Sequence, residues 1–199
     1  MNPVIKRAFD CTASTVLLLL LAGPAAVVAL TVLLVEGSPV FYGQQRVGRH
    51  GRPFTILKFR TMRPAAAGDA AITSGRTDDR ITKTGAVLRR FRVDEWPQLW
   101  NVLRGDMSLV GPRPEAERFV DLSDPRWQVV LQVRPGITGP DALAFKDEGV
   151  RLAAAVDAEQ CYRDEILPEK LALQMDYVRT RSLFKDVAVL FRTLGALMG

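Results

Sequence analysis

At 199 residues the chain is long enough for one compact core with attachments, and its net charge of +5 suits anionic partners: a lipid surface, a phosphorylated substrate or nucleic acid. The single histidine, His50, sits in a glycine-bounded turn, which argues against histidine acid–base chemistry. Two cysteines far apart, Cys11 and Cys161, exclude a disulfide framework and fit a reduced, cytosol-facing body.

Residues 12–35 carry no charge and consist mostly of Leu, Val and Ala. The run exceeds a signal-peptide core and no small-residue cleavage site follows it, so it reads as a membrane segment. As a straight helix it would be about 36 Å long, enough to cross a hydrocarbon layer of about 30 Å. Gly23-Pro24 divides it near the middle, where the proline removes a helix hydrogen bond and predicts a kink. Each half is then too short to cross. Lys6 and Arg7 precede the run, and Arg46, Arg49 and Arg52 follow it, as expected of a segment that dips in and returns to one face. A single spanning anchor with a tolerated proline is the other reading. A bend needs partners for its freed backbone groups, and Ser14 or Thr15 could supply them.

Residues 40–45 and 53–62 read as two strands joined by the Gly48-Arg49-His50-Gly51 turn. On the second, Lys58 and Arg60 share one face, and Leu57 and Phe59 the other. Residues 64–77, rich in Ala, Gly, Ser and Asp, read as a mobile surface loop, followed by a short helix carrying Leu88, Arg89 and Arg90. An amphipathic helix is expected from Asp94, with Trp96, Leu99, Trp100 and Leu103 on its apolar face, Pro97 in its first turn and Gly105 as its stop. Residues 133–139 read as a loop and residues 150–166 as a polar helix. The last segment, from Ser182, places Leu183, Val187, Leu190, Phe191, Leu194 and Met198 on one side. It either closes the core or lies on a lipid surface. The class is α+β and mainly helical: residues 1–38 form the membrane helix, and residues 39–199 form a body with a small β-hairpin and several amphipathic, interfacial helices.

Asp94-Glu95 at a helix start has an ordinary role as a cap that complements the helix dipole. The chemical alternative is a carboxylate kept ionised by helix N–H groups, able to attack phosphorus or bind Mg²⁺. Downstream, prolines on both sides of Arg113 present a stiff guanidinium suited to phosphate. Lys58, Arg60, Arg89, Arg90 and Arg92 could extend an anion pocket, or simply be solvated.

The stretch from Arg92 through Asp94-Glu95-Trp-Pro-Gln to Gly111-Pro-Arg-Pro-Glu115 closely resembles the signature of the bacterial sugar transferases, the monotopic phosphoglycosyl transferases. Lys58-Phe-Arg-Thr-Met62 and Val133-Arg-Pro-Gly-Ile-Thr-Gly139 resemble two further motifs of that family, in the same order. The resemblance implies a re-entrant membrane helix broken near its middle, here at Gly23-Pro24 where many members have Ser-Pro. It implies Asp94 as nucleophile, Glu95 as its Mg²⁺-associated partner, a UDP-sugar donor, a polyprenol phosphate acceptor, and the cytoplasmic face of the bacterial inner membrane. Nucleic acid is not an expected partner. After Gly139 the chain reads Pro140-Asp-Ala-Leu-Ala-Phe-Lys-Asp-Glu148, unlike the Trp-Ala-Gln continuation of many members, so sugar or nucleotide contacts there do not carry over. A membrane-anchored adaptor that keeps the fold without catalysis is the alternative.

Overall fold

The structure is a computed structural model that describes residues 1–63 and 78–198, with backbone alone for residues 197 and 198. The expected surface loop at 64–77 and the side chain of Met198 lie outside the described residues. Helix α1 (Pro3–Glu36) starts on Asn2, whose side chain accepts from the Val4 N–H, with Pro3 at the position where a missing donor costs nothing. It runs as one element with Pro24 inside it, so the expected break at Gly23-Pro24 does not divide it into two helices. One stripe of α1, including Asp10, Ser14, Leu21, Ala25, Val28 and Val32, turns toward the body on both sides of the proline, and most of the remaining surface is exposed. Packing along that stripe holds the helix through the position where the proline removes one hydrogen bond. Ser14 does not serve as the expected partner at the bend: it is fully buried, and its hydroxyl meets no partner among the described residues. Thr15 faces outward.

Strands β1 (Phe41–Val47) and β2 (Pro53–Phe59) form the expected antiparallel hairpin, with Tyr42 opposite Lys58. His50 takes the left-handed conformation that the tight turn requires, at φ 59°. The open edge of β2 is covered by a side chain: Asn101 accepts from the Leu57 N–H at 3.0 Å and donates to the Thr55 carbonyl at 2.8 Å. Asn101 lies in α3 (Gln98–Arg104), which begins four residues later than expected. Its buried face is Gln98, Leu99, Asn101 and Val102, and Trp100 is 52% exposed. A 3₁₀ turn over Val93–Glu95 precedes it and advances each residue further around the axis than an α-helix does, so a wheel drawn from Asp94 misplaces the face.

Between them lies α2 (Lys83–Arg90), started by Thr82, whose hydroxyl accepts from the Gly85 N–H at 2.9 Å. A Cβ on Gly85 would fall 2.1 Å from the Thr61 carbonyl oxygen, so only glycine lets α2 rest on the chain leaving β2. The expected loop at 133–139 contains a short strand, β4 (Gly136–Thr138), parallel to β3 (Ser108–Val110). The expected helix at 150–166 is several pieces. After α4 (Pro125–Val130) and α5 (Pro140–Ala144) come α6 (Glu148–Ala154), α7 (Ala158–Cys161), which Asp157 caps, and a π-turn leading into α8 (Leu167–Thr180). Helix α9 (Leu183–Met198) closes on the body with one face and leaves the other exposed. It buries Asp186 and Val189 while leaving Phe184 and Phe191 90% and 70% exposed.

The first turns of α1 are fixed by charge. Lys6 Nζ lies 2.8 Å from both Asp10 and Asp186, two carboxylates buried almost completely. Asp10 also accepts from the Ser108 hydroxyl at 2.8 Å, and Asp186 from the Tyr177 hydroxyl at 2.8 Å. Lys6→Met removes the one cation between two desolvated anions. It is expected to destabilise the protein by about 3–5 kcal/mol, read as a lowered Tm in detergent, and Asp186→Asn in the same chain should restore part of the loss.

Candidate active site

Asp94 and Glu95 sit in the 3₁₀ turn over Val93–Glu95, 6% and 7% exposed. Neither caps α3: Pro97 occupies the cap position and no side-chain cap bond is made. Arg92 enters the turn in the left-handed region at φ 51°, a conformation that costs a non-glycine residue about 1–2 kcal/mol. The carbonyl of Arg92 accepts from the Glu95 N–H at 3.2 Å, and its guanidinium reaches forward to Glu95 Oε2 at 3.4 Å.

Glu95 is the centre of a cation cluster. Arg113 Nη2 donates to its Oε1 at 2.6 Å, and Lys58 Nζ approaches the same oxygen at 3.4 Å. Burial pushes the Glu95 carboxyl up, but Arg113 and Lys58 outweigh it and hold the group well below the usual carboxylate range. Glu95 in turn raises Arg113, while burial lowers Lys58. The turn that carries Arg113 is fastened from behind. Its backbone N–H donates to Asp141 Oδ2 at 3.0 Å, the Gly111 N–H to Thr138 O at 3.0 Å, and the Gly136 N–H to Pro112 O at 2.9 Å. A Cβ on Gly136 would meet Gly111 N at 2.1 Å. The glycine that made 133–139 look like a loop is what lets β4 approach so closely.

Asp94 differs from its neighbour. Among the described residues it makes no hydrogen bond or ion pair within 4 Å, and burial raises its pKa against the pull of Lys58 and Arg89. The expected stabilisation by helix N–H groups is absent among the described residues; Lys58 and Arg89 pull against the effect of burial without overcoming it. Asp94 opens onto a cleft of about 1280 Å³, lined also by Lys58, Arg89, Gln98 and Arg113. Arg89 reaches the cleft with Nη1 buried and unpartnered among the described residues. Arg60 also borders it, but its guanidinium donates to the carbonyls of Glu36 and Gly37, both at 2.6 Å, and of Ser38 at 3.0 Å. It closes the end of α1 more than it addresses the cleft. Gly23 and Pro24 lie on α1, away from the cleft.

The far wall of the cleft holds Lys170, 4% exposed, with Glu148 Oε2 at 2.6 Å, Glu115 Oε1 at 3.4 Å and the Tyr162 hydroxyl at 3.0 Å. Reading the sequence did not single out Lys170, Tyr162 or Glu148, because they meet only when α6 and α8 fold together. Gln98 was missed too, because the 3₁₀ turn breaks the helical count from Asp94.

The bacterial sugar transferase family matches residues 1–199, the whole chain. This protein belongs to that family. A UDP-glucose:undecaprenyl-phosphate glucose-1-phosphate transferase of Caulobacter vibrioides is 37% identical over 97% of this chain and 69% of its own length. An undecaprenyl-phosphate glucose phosphotransferase of Komagataeibacter xylinus is 39% identical over 95% of this chain and 35% of its own. An undecaprenyl-phosphate galactose phosphotransferase of Salmonella typhimurium is 34% identical, with 95% and 39% covered. This sugar transferase therefore spans well under half the length of the last two.

Among the described residues of the transferase, no three His, Cys, Asp or Glu side chains form a self-contained metal cage. A Mg²⁺ ion asks for less: one or two carboxylates, with substrate phosphates and water completing its octahedron. Asp94 fits that requirement with both oxygens free. Glu95 fits it poorly, because its oxygens already face three cations.

The two carboxylates should respond oppositely to neutralisation. Asp94→Asn removes a desolvated, unpartnered charge and is expected to hold or raise Tm at pH 7. Glu95→Gln strands Arg113, Lys58 and Arg92, and should cost about 3–5 kcal/mol. Thermal unfolding of the two variants in one detergent checks the contrast.

Proposed function

We propose that this transferase moves a sugar 1-phosphate from a UDP-sugar to polyprenol (undecaprenyl) phosphate through a covalent intermediate on Asp94. The observation that carries the reading is the asymmetry of the pair: Glu95 fixes Arg113 and Lys58 at the mouth of the cleft, and Asp94 beside it keeps both oxygens free. The relatives named for undecaprenyl-phosphate sugar-phosphate transfer supply the substrate classes.

An Asp94 oxygen attacks the sugar-side phosphorus, and the bond from that phosphorus to the bridging oxygen breaks; UMP departs with the oxygen and its electron pair. A phosphate oxygen of the polyprenol acceptor then attacks the same phosphorus. The Asp94–phosphorus bond breaks, the carboxylate returns, and a polyprenol diphosphate sugar leaves. Arg113 and Lys58 orient the diphosphate and balance charge spread over the transferring group. Mg²⁺ would be held by Asp94 with the donor's phosphates and water, and would supply further neutralisation of the diphosphate.

The acceptor is a lipid, so the site must stand at a membrane surface. Helix α1 packs on the body from both sides of Pro24 with an apolar outer face, which supports a segment seated in a lipid layer. Exposed Trp100, Phe184 and Phe191 suit the same surface. The cytoplasmic face of the bacterial inner membrane is the corresponding location.

Purified protein in detergent with Mg²⁺ is expected to form a sugar-phosphate adduct with one of a panel of labelled UDP-sugars, releasing UMP in a single burst, and to release UMP continuously only when polyprenol phosphate is added. Asp94→Asn should lower release by at least about 1000-fold. Full activity in that variant removes the covalent scheme, and no release from the wild type leaves the adaptor reading. Only the ionised carboxylate attacks. Because burial raises Asp94, activity should fail on acidification at a higher pH than an ordinary aspartate would set. Lys58→Gln removes the largest opposing pull and should move that limb higher still.

A further inference from the structure

Gln98 is 1% exposed and lines the cleft, yet its Nε2 finds no partner among the described residues. A buried amide donor left unmet costs about 1–3 kcal/mol, so native proteins rarely keep one without a use. Its position is informative. Gln98 follows Asp94 by four residues, one turn along the same run of 3₁₀ and α backbone, and both side chains border the same cavity. Across the cavity wall Arg89 Nη1 is likewise buried and unpartnered. Gln98 and Arg89 thus each keep one buried N–H donor unmet, both residues line the cavity that Asp94 borders, and the ion pairs of Glu95 engage neither donor.

We propose that Gln98 is a catalytic residue whose Nε2–H donates to a non-bridging oxygen of the phosphoryl group as Asp94 attacks it, with Arg89 donating from the other side. The assignment rests on the phosphoglycosyl transfer reading above. As Asp94 closes on phosphorus, negative charge grows on the non-bridging oxygens. A donor that is pre-positioned, neutral and out of water stabilises that charge with little reorganisation.

Gln98→Leu tests this, with Gln98→Asn as the shortened amide. Because the change removes an unmet buried amide, Tm should hold or rise. The kcat for UMP release should nevertheless fall about 100- to 1000-fold, with the donor KM changed little. The specific readout is a donor carrying sulfur in place of a non-bridging oxygen on the sugar-side phosphorus. Sulfur accepts hydrogen bonds weakly, so one of its two diastereomers should slow the wild type markedly and Gln98→Leu much less. Gln98→Leu at full kcat overturns the inference. So does a loss of activity with an undiminished sulfur effect, which marks Gln98 as merely structural. A wild type that releases no UMP overturns the phosphoglycosyl reading itself; an active wild type beside a fully active Gln98→Leu overturns this inference alone.

Discussion

The site depends on the 2.6 Å contact between Arg113 and Glu95. It joins two stretches separated in sequence, the 3₁₀ turn over Val93–Glu95 and the Pro112-Arg113-Pro114 turn, across the floor of the cleft. Neither charge could be buried alone, because desolvation would cost each several kcal/mol. Together they define where Lys58 and Arg92 collect. Three cations gathered on one carboxylate leave a surplus of positive charge beside a cavity, an arrangement that attracts anions. A hydrophobic isostere of the pair could be as stable and would have no such surplus.

The membrane helix is tied to the elements that carry this charge. Near its start, Arg7 donates to the carbonyls of Val102 and Leu103 at 2.6 and 2.9 Å, at the end of α3, the helix that follows Asp94 and Glu95. At its close, the carbonyls of Glu36 and Gly37 accept from Arg60, two residues beyond Lys58 on β2. Both ends of α1 thus bond to segments that bear site residues. These bonds fix the position of the cleft relative to α1. Lys6, between Asp10 and Asp186, removes the freedom to roll about the helix axis.

The parts legible in the sequence are those fixed by local chemistry. The Gly48-to-Gly51 turn, the prolines about Arg113 and the adjacent carboxylates each carry their meaning within a few residues. Strand β4 was hidden because Pro135, Gly136 and Gly139 signal a loop, and its parallel pairing with β3 is made with residues 28 positions away. The phase of α3 was misread because Pro97 and the 3₁₀ turn reset the helical count, moving the buried face from Trp100 to Asn101 and Val102. Lys170 is a buried cation only because Glu115, Glu148 and Tyr162 arrive from three other segments. No window of sequence contains that arrangement.

Asp94 is where the structural reading changes the chemical one most. A carboxylate held by helix N–H groups would be ionised and also blunted, since hydrogen bonds that stabilise the anion occupy the lone pairs needed for attack. The 3₁₀ turn avoids this by leaving Asp94 uncapped, buried and raised in pKa, with Lys58 and Arg89 pulling against that rise and no cation within bonding distance among the described residues. That state is expensive, and Glu95 makes it tolerable by drawing Arg113, Lys58 and Arg92 onto itself. The neighbouring carboxylate thus acts as a decoy for the cations. It concentrates positive charge around the cleft while keeping that charge from closing on the Asp94 oxygens.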